Sequence, residues 1–529
     1  MNCVFLGGML VDGTGGPPVR ADLRVKDGKI HRIAQTLKPE PGETAMDITG
    51  AWLAPGFIDC HTHSDLAAMQ AGGLDAKILQ GVTTEVTGQC GLSVFPLPVE
   101  RREAWRSMSV IGNPQFEWGW NSARGWLADL EARPLDANVL PFVGAGTLRY
   151  GLVGDDPAPL DAGQMLRYQA ALEEAFSAGI AGISFGLIYI PAIFSTWDEL
   201  ELAARTAARF GRPLAVHLRS ESDEIEAAVR EMLELAETTG VHLHLSHLKA
   251  IGFKNRPQLD AVLEMIDRSG IGFDHYPYTW GSTSLLSLIP PHMMRDGVGQ
   301  LLECLGDTSV QAQLEDLWAG VRALPHGTPW DNLPALVGWE KIRIVHAAHG
   351  AADDCLDCSL AEGAARRGCS PSALVCQVLR DARGDVRMID EYMEEEAVVE
   401  ILRHPAGRIA SDSLFGAGAH PRVSGCFPRV FQRYVFEQPV LRLEEAVRKM
   451  SGATAAWLGL EERGLLREGL AADLVVFTGE IAEPVPGSAP PGIRLVMING
   501  EVVARDGKRV YGKPSGMILR ANEKNDPLH

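Results

Sequence analysis

With 529 residues, 46% hydrophobic and 22% charged, the chain has apolar residues for a large buried core and too few charges for a disordered protein. A formal net charge of -19 argues against nucleic acid or an anionic membrane surface as the main partner, because both are bound through basic patches. What remains is a globular protein with a small-molecule ligand, and an anionic ligand would need local cations in its pocket.

The opening "MNCVFLGGMLVDGTGGPPVR" lacks a basic segment ahead of an apolar stretch, and no run of about 18 apolar residues follows elsewhere. The expected location is the cytoplasm. Nine cysteines, an odd number in a long chain, argue against a disulfide framework. Oligomeric state is not legible.

From residue 2 to about 55 the chain reads as short strands broken by turns: "CVFLGGMLVDGTG", "ADLRVKDGKIHRIA" and "DITGAWLAPG", with Lys26-Asp27-Gly28-Lys29 as a tight turn. The same pattern returns in "AADLVVFTG" and "IRLVMINGEVVARDGKRV". These predict one small β-sandwich domain formed from both termini, residues 1–55 and 461–529, with the main domain at 56–460 inserted between them.

The middle alternates apolar strand-like runs with helical stretches. The runs are "GFIDCH", "GVTTEVTG", "ANVLPFVGAG", "GIAGISFG", "RPLAVHLR", "VHLHLSHLK", "GIGFDHYPY" and "GRIASDS". Helices such as "AGQMLRYQAALEEAFSAG" and "SDEIEAAVREMLELAETTG" separate them. Eight such units predict an α/β fold, a (β/α)8 TIM-type barrel. The connection at about 277–406 is too long for a simple crossover and predicts a lid or specificity insertion before the last strand.

In such a barrel the chemistry gathers at the C-terminal ends of the strands. His61 and His63 end the first strand, Cys90 follows the second, His217 ends the fifth, His247 the sixth and Asp412 the eighth. Each alone has an ordinary structural explanation: a buried thiol for Cys90, a helix cap for Asp412, a chance pair for His61 and His63. Six potential ligands at one barrel rim are hard to explain by packing. In the sixth strand His242 and His244 share one parity and His247 takes the other, beside the loop where a ligand belongs. Imidazoles, a thiolate and a carboxylate together suit Zn²⁺ better than the oxygen-seeking Mg²⁺ or Ca²⁺. "CLDC", Cys355 to Cys358, lacks a second pair and reads as two unrelated thiols at a helix start.

The order of these residues resembles the amidohydrolase superfamily. Within it, "PGFIDCHTHSD", "GQCGLS", "SFGLIYIP", "HLRSE", "SHLK", "DHYPY", "ASDS" and "HPRVSGCFPR" resemble the N-acyl-D-amino-acid deacylases, or D-aminoacylases, over essentially the whole chain. Many amidohydrolases bridge two metals with a strand-four lysine, which "GIAGISFGLIYIP" does not contain; this family uses a cysteine after strand two. The resemblance implies that Cys90, His217 and His247 hold a tight zinc, and that His61 and His63 serve a second, weaker site.

It further implies hydrolysis of the amide bond of N-acyl-D-amino acids by metal-activated water, with Asp412 as general base and acid. Lys249, Arg422 and Tyr276 or Tyr278 would bind the substrate carboxylate, with Tyr278 the choice between the tyrosines. Ala145 stands where the family commonly carries a histidine, and the aromatic stretch "SVIGNPQFEWGW" is read as lining the acyl side. Two other readings stay open: a cyclic amidase of the hydantoinase or dihydroorotase kind, and a non-catalytic scaffold with the same fold.

Overall fold

The structure is a computed structural model of the chain and describes residues 1–109, 118–322 and 330–521. The eight expected strands form one parallel sheet in sequence order: Phe57–Asp59, Val82–Thr87, Asn138–Gly144, Gly182–Gly186, Leu214–His217, Leu243–Leu245, Gly272–His275 and Gly407–Ile409. Its composition shows why. The second strand, "VTTEVT", is β-branched at all but one position and buried throughout, as a strand covered on both faces requires.

Local signals set the intervening helices. Ala162–Ser177 opens with a capping box in which Asp161 and Gln164 satisfy each other's backbone N–H groups. Ile225–Thr239 stops at Gly240, whose φ of 73° continues the chain in a left-handed conformation that glycine adopts without strain.

The residues at the rim join the first and eighth strands into a closed barrel. Thr62 and Ser413 make a parallel bridge, Ser413 O accepts from His63 N at 3.1 Å, and His61 O accepts from Asp412 N at 2.9 Å. The backbone that carries the candidate ligands is therefore the backbone that closes the barrel. Nearby, the fully buried Lys77 forms an ion pair with Asp59 and donates to Ser411 Oγ at 2.7 Å, tying the first helix to both seam strands.

Both chain ends supply the β structure beside the barrel. A four-stranded sheet from the N-terminal segment faces a seven-stranded sheet that mixes N- and C-terminal strands. Phe5, Leu23, Val25, Leu53, Val476 and Met497 form part of their shared core. The chain then leaves this sandwich: Ile518 bridges to Val139 of the third barrel strand, and Val139 N donates to Met517 O at 2.9 Å. Between the seventh and eighth barrel strands lies a three-stranded antiparallel sheet, Trp280–Ser284, Ile342–Ala347 and Val386–Glu391, with the last strand central.

Candidate metal centre and cleft

The strand ends bring the predicted ligands together. Cys90 Sγ lies 3.2 Å from His61 Nε2, 3.3 Å from His247 Nε2 and 3.7 Å from His217 Nδ1. Asp412 Oδ1 is 3.2 Å from His63 Nε2 and 3.5 Å from His61 Nε2. Ligand atoms of His61, Cys90, His247 and Asp412 all fall within 4.8 Å of one another, and His217, Glu221 and His247 form an adjoining set.

This donor set fits a zinc ion. It combines a thiolate-forming sulfur, imidazole nitrogens and one carboxylate, with a nitrogen of His61, His217 and His247 each turned toward the Cys90 sulfur. Burial opposes ionisation of Cys90, but the adjacent His61 and His247 outweigh it and hold the thiol well below its ordinary range. Cys355 and Cys358 are both free thiols.

Three of these residues adopt unusual backbone: φ is 52° at Cys90, 33° at His247 and 47° at Asp412. For residues with a Cβ this region costs about 1–2 kcal/mol each, so the surroundings must impose it. Around Cys90, Ser184 of the fourth strand accepts from Gly91 N at 2.9 Å and donates to Gly88 O at 2.5 Å. His247 N donates to Asp274 Oδ1 at 2.9 Å, and Asp412 is held by its bond to His61.

A supporting layer surrounds the cluster. Glu221 faces His217 Nε2 at 3.3 Å and His247 Nδ1 at 3.1 Å, and it accepts from Lys249 Nζ at 2.7 Å. Burial would raise its pKa, but His217, Lys249 and His247 pull it down to about 2. Asp274 joins His61 Nδ1 at 3.4 Å to His244 Nε2 at 2.9 Å. His244 stacks on Trp457 at 4.0 Å and groups with Cys60 and Asp274 apart from Cys90, whereas His247 lies beside Cys90 and His242 is in none of the clusters. Asp65 turns away to accept from Gly88 N at 3.3 Å.

The centre opens into a cleft walled by the loops after strands four and six and by the insertion. Lys249 lines it, bound to Glu221. Arg422 is fully buried: its Nη2 lies 2.9 Å from Asp412 Oδ2, its guanidinium sits 4.5 Å over the Tyr276 ring, and its Nε and Nη1 have no hydrogen-bond partner.

Choosing Tyr278 over Tyr276 needs correction. Tyr276 lines the cleft, whereas the Tyr278 hydroxyl donates to Glu483 at 2.7 Å on the far side. The tight turn in which Tyr278 N bonds to Tyr276 O breaks the strand alternation that made the two equivalent. Of the aromatic stretch read as lining the acyl side, residues 110–117 lie outside the described residues. Trp118 and Trp120 stack on each other at 6.0 Å and are not part of the cleft wall.

Glu221, Asp274 and Ser184 had no role in the sequence reading. Glu221 ends the motif "HLRSE" four residues after His217, Asp274 opens "DHYPY", far in sequence from His61, and Ser184 opens "SFGLIYIP". Spacing reveals a ligand set, but it does not reveal which neighbouring carboxylate turns toward the free imidazole nitrogen.

A family model described as "Amidohydrolase family" matches residues 44–181 and 377–504. The N-acyl-D-aspartate deacylase of Alcaligenes xylosoxydans xylosoxydans is 32% identical over 527 residues, covering 98% of this chain and 94% of that protein. D-aminoacylase from the same organism is 31% identical over 528 residues, covering 98% and 97%. Among solved structures, N-acyl-D-glutamate deacylase from Bordetella bronchiseptica, complexed with zinc and a phosphonate inhibitor mimicking the tetrahedral intermediate, superposes with a TM-score of 0.82 at 31% identity, covering 98% of this chain and 100% of that one.

Proposed function

The chain belongs to the amidohydrolase family, among the N-acyl-D-amino-acid deacylases, and from that premise we propose that it hydrolyses N-acyl-D-amino acids to a carboxylate and the free D-amino acid. The observation that carries the reading is the cluster of His61, Cys90, His247 and Asp412 donor atoms within 4.8 Å at the floor of the cleft. Ser184, rather than a lysine, occupies the fourth strand beside it, which favours this reading over a cyclic amidase.

Cys90, His217 and His247 would hold one zinc tightly, with His61 and His63 beside a second, weaker position. When bound, zinc makes water acidic enough to lose a proton near neutral pH and offsets charge developing on the scissile carbonyl oxygen. Asp412 Oδ1 takes the proton from the attacking water and delivers it to the leaving nitrogen. Arg422 keeps that carboxylate ionised, overcoming the opposing effect of burial. Lys249, Arg422 and the Tyr276 hydroxyl receive the substrate carboxylate, and Glu221 orients His217 and His247. The nine unpaired thiols support a cytoplasmic enzyme.

The test is a hydrolysis screen of N-acetyl-D- and N-acetyl-L-amino acids with added Zn²⁺, with hydantoin and dihydroorotate as controls. Release of free D-amino acids is the expected result. Ring opening of the controls without deacylation would overturn the proposal.

A further inference from the structure

We propose that the cleft takes N-acyl-D-amino acids with an apolar side chain and that Asp390 determines this specificity by repelling acidic ones. The inference rests on the deacylase reading above, and it separates this chain from relatives named for aspartate and glutamate.

Asp390 lies on the central strand of the insertion sheet, opposite Gly281 on one neighbouring strand and Ile342 on the other. It lines the cleft, and so does Gly281, which has no side chain to come between them. Asp390 is only 4% exposed, and among the described residues no side chain hydrogen-bonds or ion-pairs with its carboxylate, which has its own backbone N–H for a partner. Burial raises its pKa to about 6, with Glu221 adding to the rise and Lys249 and Arg422 opposing it, so the carboxylate is ionised above pH 7.

Both cations are already engaged. Lys249 is 2.7 Å from Glu221, and Arg422 is 2.9 Å from Asp412. The wall carries three other carboxylates: Glu221 and Asp412 are held by those two cations, and Asp331 is tied by Ser220 Oγ at 2.6 Å, Ser222 Oγ at 2.5 Å and Glu221 N at 2.8 Å. Among the described residues Lys249 is the one lysine or arginine on the cleft wall. A substrate with one carboxylate can compete for Lys249 and Arg422; a second finds no free cation and meets Asp390 instead.

The remaining wall suits hydrocarbon. Ile188, Ile190 and Ile193 come from the loop after strand four, and Leu286, Ile289 and Met294 from the insertion. Burying an apolar side chain against them is favourable, whereas a like charge beside Asp390 must either be repelled or force that carboxylate to take up a proton, at about 1–2 kcal/mol near pH 7.5.

The experiment compares kcat/KM of the zinc-loaded enzyme for N-acetyl-D-leucine, N-acetyl-D-methionine, N-acetyl-D-glutamine, N-acetyl-D-glutamate and N-acetyl-D-aspartate. Leucine and methionine should exceed both acids by roughly 100-fold, and glutamine should exceed glutamate, which has nearly the same shape. Asp390→Asn should raise the glutamate-to-leucine ratio by about tenfold. Equal rates on glutamate and leucine, or on glutamate and glutamine, would overturn the inference while leaving the deacylase reading intact. A folded Asp390→Asn enzyme with an unmoved ratio would remove Asp390 from the role. Activity on none of the five would overturn the deacylase reading itself, and this inference with it.

Discussion

Arg422 Nη2 sits 2.9 Å from Oδ2 of Asp412, on the opposite side of the carboxylate from His63. Arg422 is therefore a partner of the proposed base as well as a candidate for the substrate carboxylate. Arg422→Ala should lower kcat by about 100-fold in addition to raising KM, because Asp412 loses the arginine that holds it ionised. A rise in KM with unchanged kcat, measured on N-acetyl-D-leucine, would restrict Arg422 to substrate binding. Asp412→Ala should retain zinc and lose turnover by 100-fold or more.

Cys90 Sγ has three imidazole nitrogens within 3.7 Å, so removing it takes away the atom at their meeting point. Cys90→Ala should purify with less than one tightly held zinc per chain, read by elemental analysis after dialysis, with its circular dichroism preserved. Full zinc content would refute the ligand assignment.

Glu221 touches two candidate ligands and Lys249 at once. Glu221→Gln keeps the shape and removes the charge, and the expected result is a 10–100-fold loss of zinc affinity in a chelator competition. Unchanged affinity would leave Glu221 with a merely structural part.

The two tyrosines should part company. Tyr276→Phe removes a hydroxyl at the cleft wall, bonded to Tyr392 at 2.6 Å, and should raise KM several-fold. Tyr278→Phe removes a bond to Glu483 and should leave KM within twofold while lowering thermal stability by about 1 kcal/mol.

Lys449 is fully buried and donates to His404 O and Gly407 O, next to the eighth strand. Burial pulls its ammonium from 10.5 to about 8 despite Glu445 nearby. Between pH 8 and 10.5 the unfolded chain binds more protons at this residue than the folded one, so stability rises with pH across that window. The gain is on the order of 3 kcal/mol by pH 10.5. Wild type should therefore gain on Lys449→Met between pH 7.5 and 10 in urea unfolding at fixed zinc. A constant gap would show that Lys449 is not the titrating group.

The sequence alone determined the barrel and the strand count, and it brought forward the candidate ligands that the strand ends gather. These rest on period-2 and helical patterning and on residue types at strand ends, which are local properties. His247 was separable from His242 and His244 by strand parity for the same reason. Only the tertiary structure decided which of Tyr276 and Tyr278 faces the cleft, since a turn after the strand cancels their shared parity. It likewise decided that Glu221 contacts His217 and His247, that Arg422 contacts Asp412, and that Asp390 from the insertion lines the cleft. Those contacts depend on how loops distant in sequence turn toward one another, and no spacing in the chain records the direction in which a loop turns.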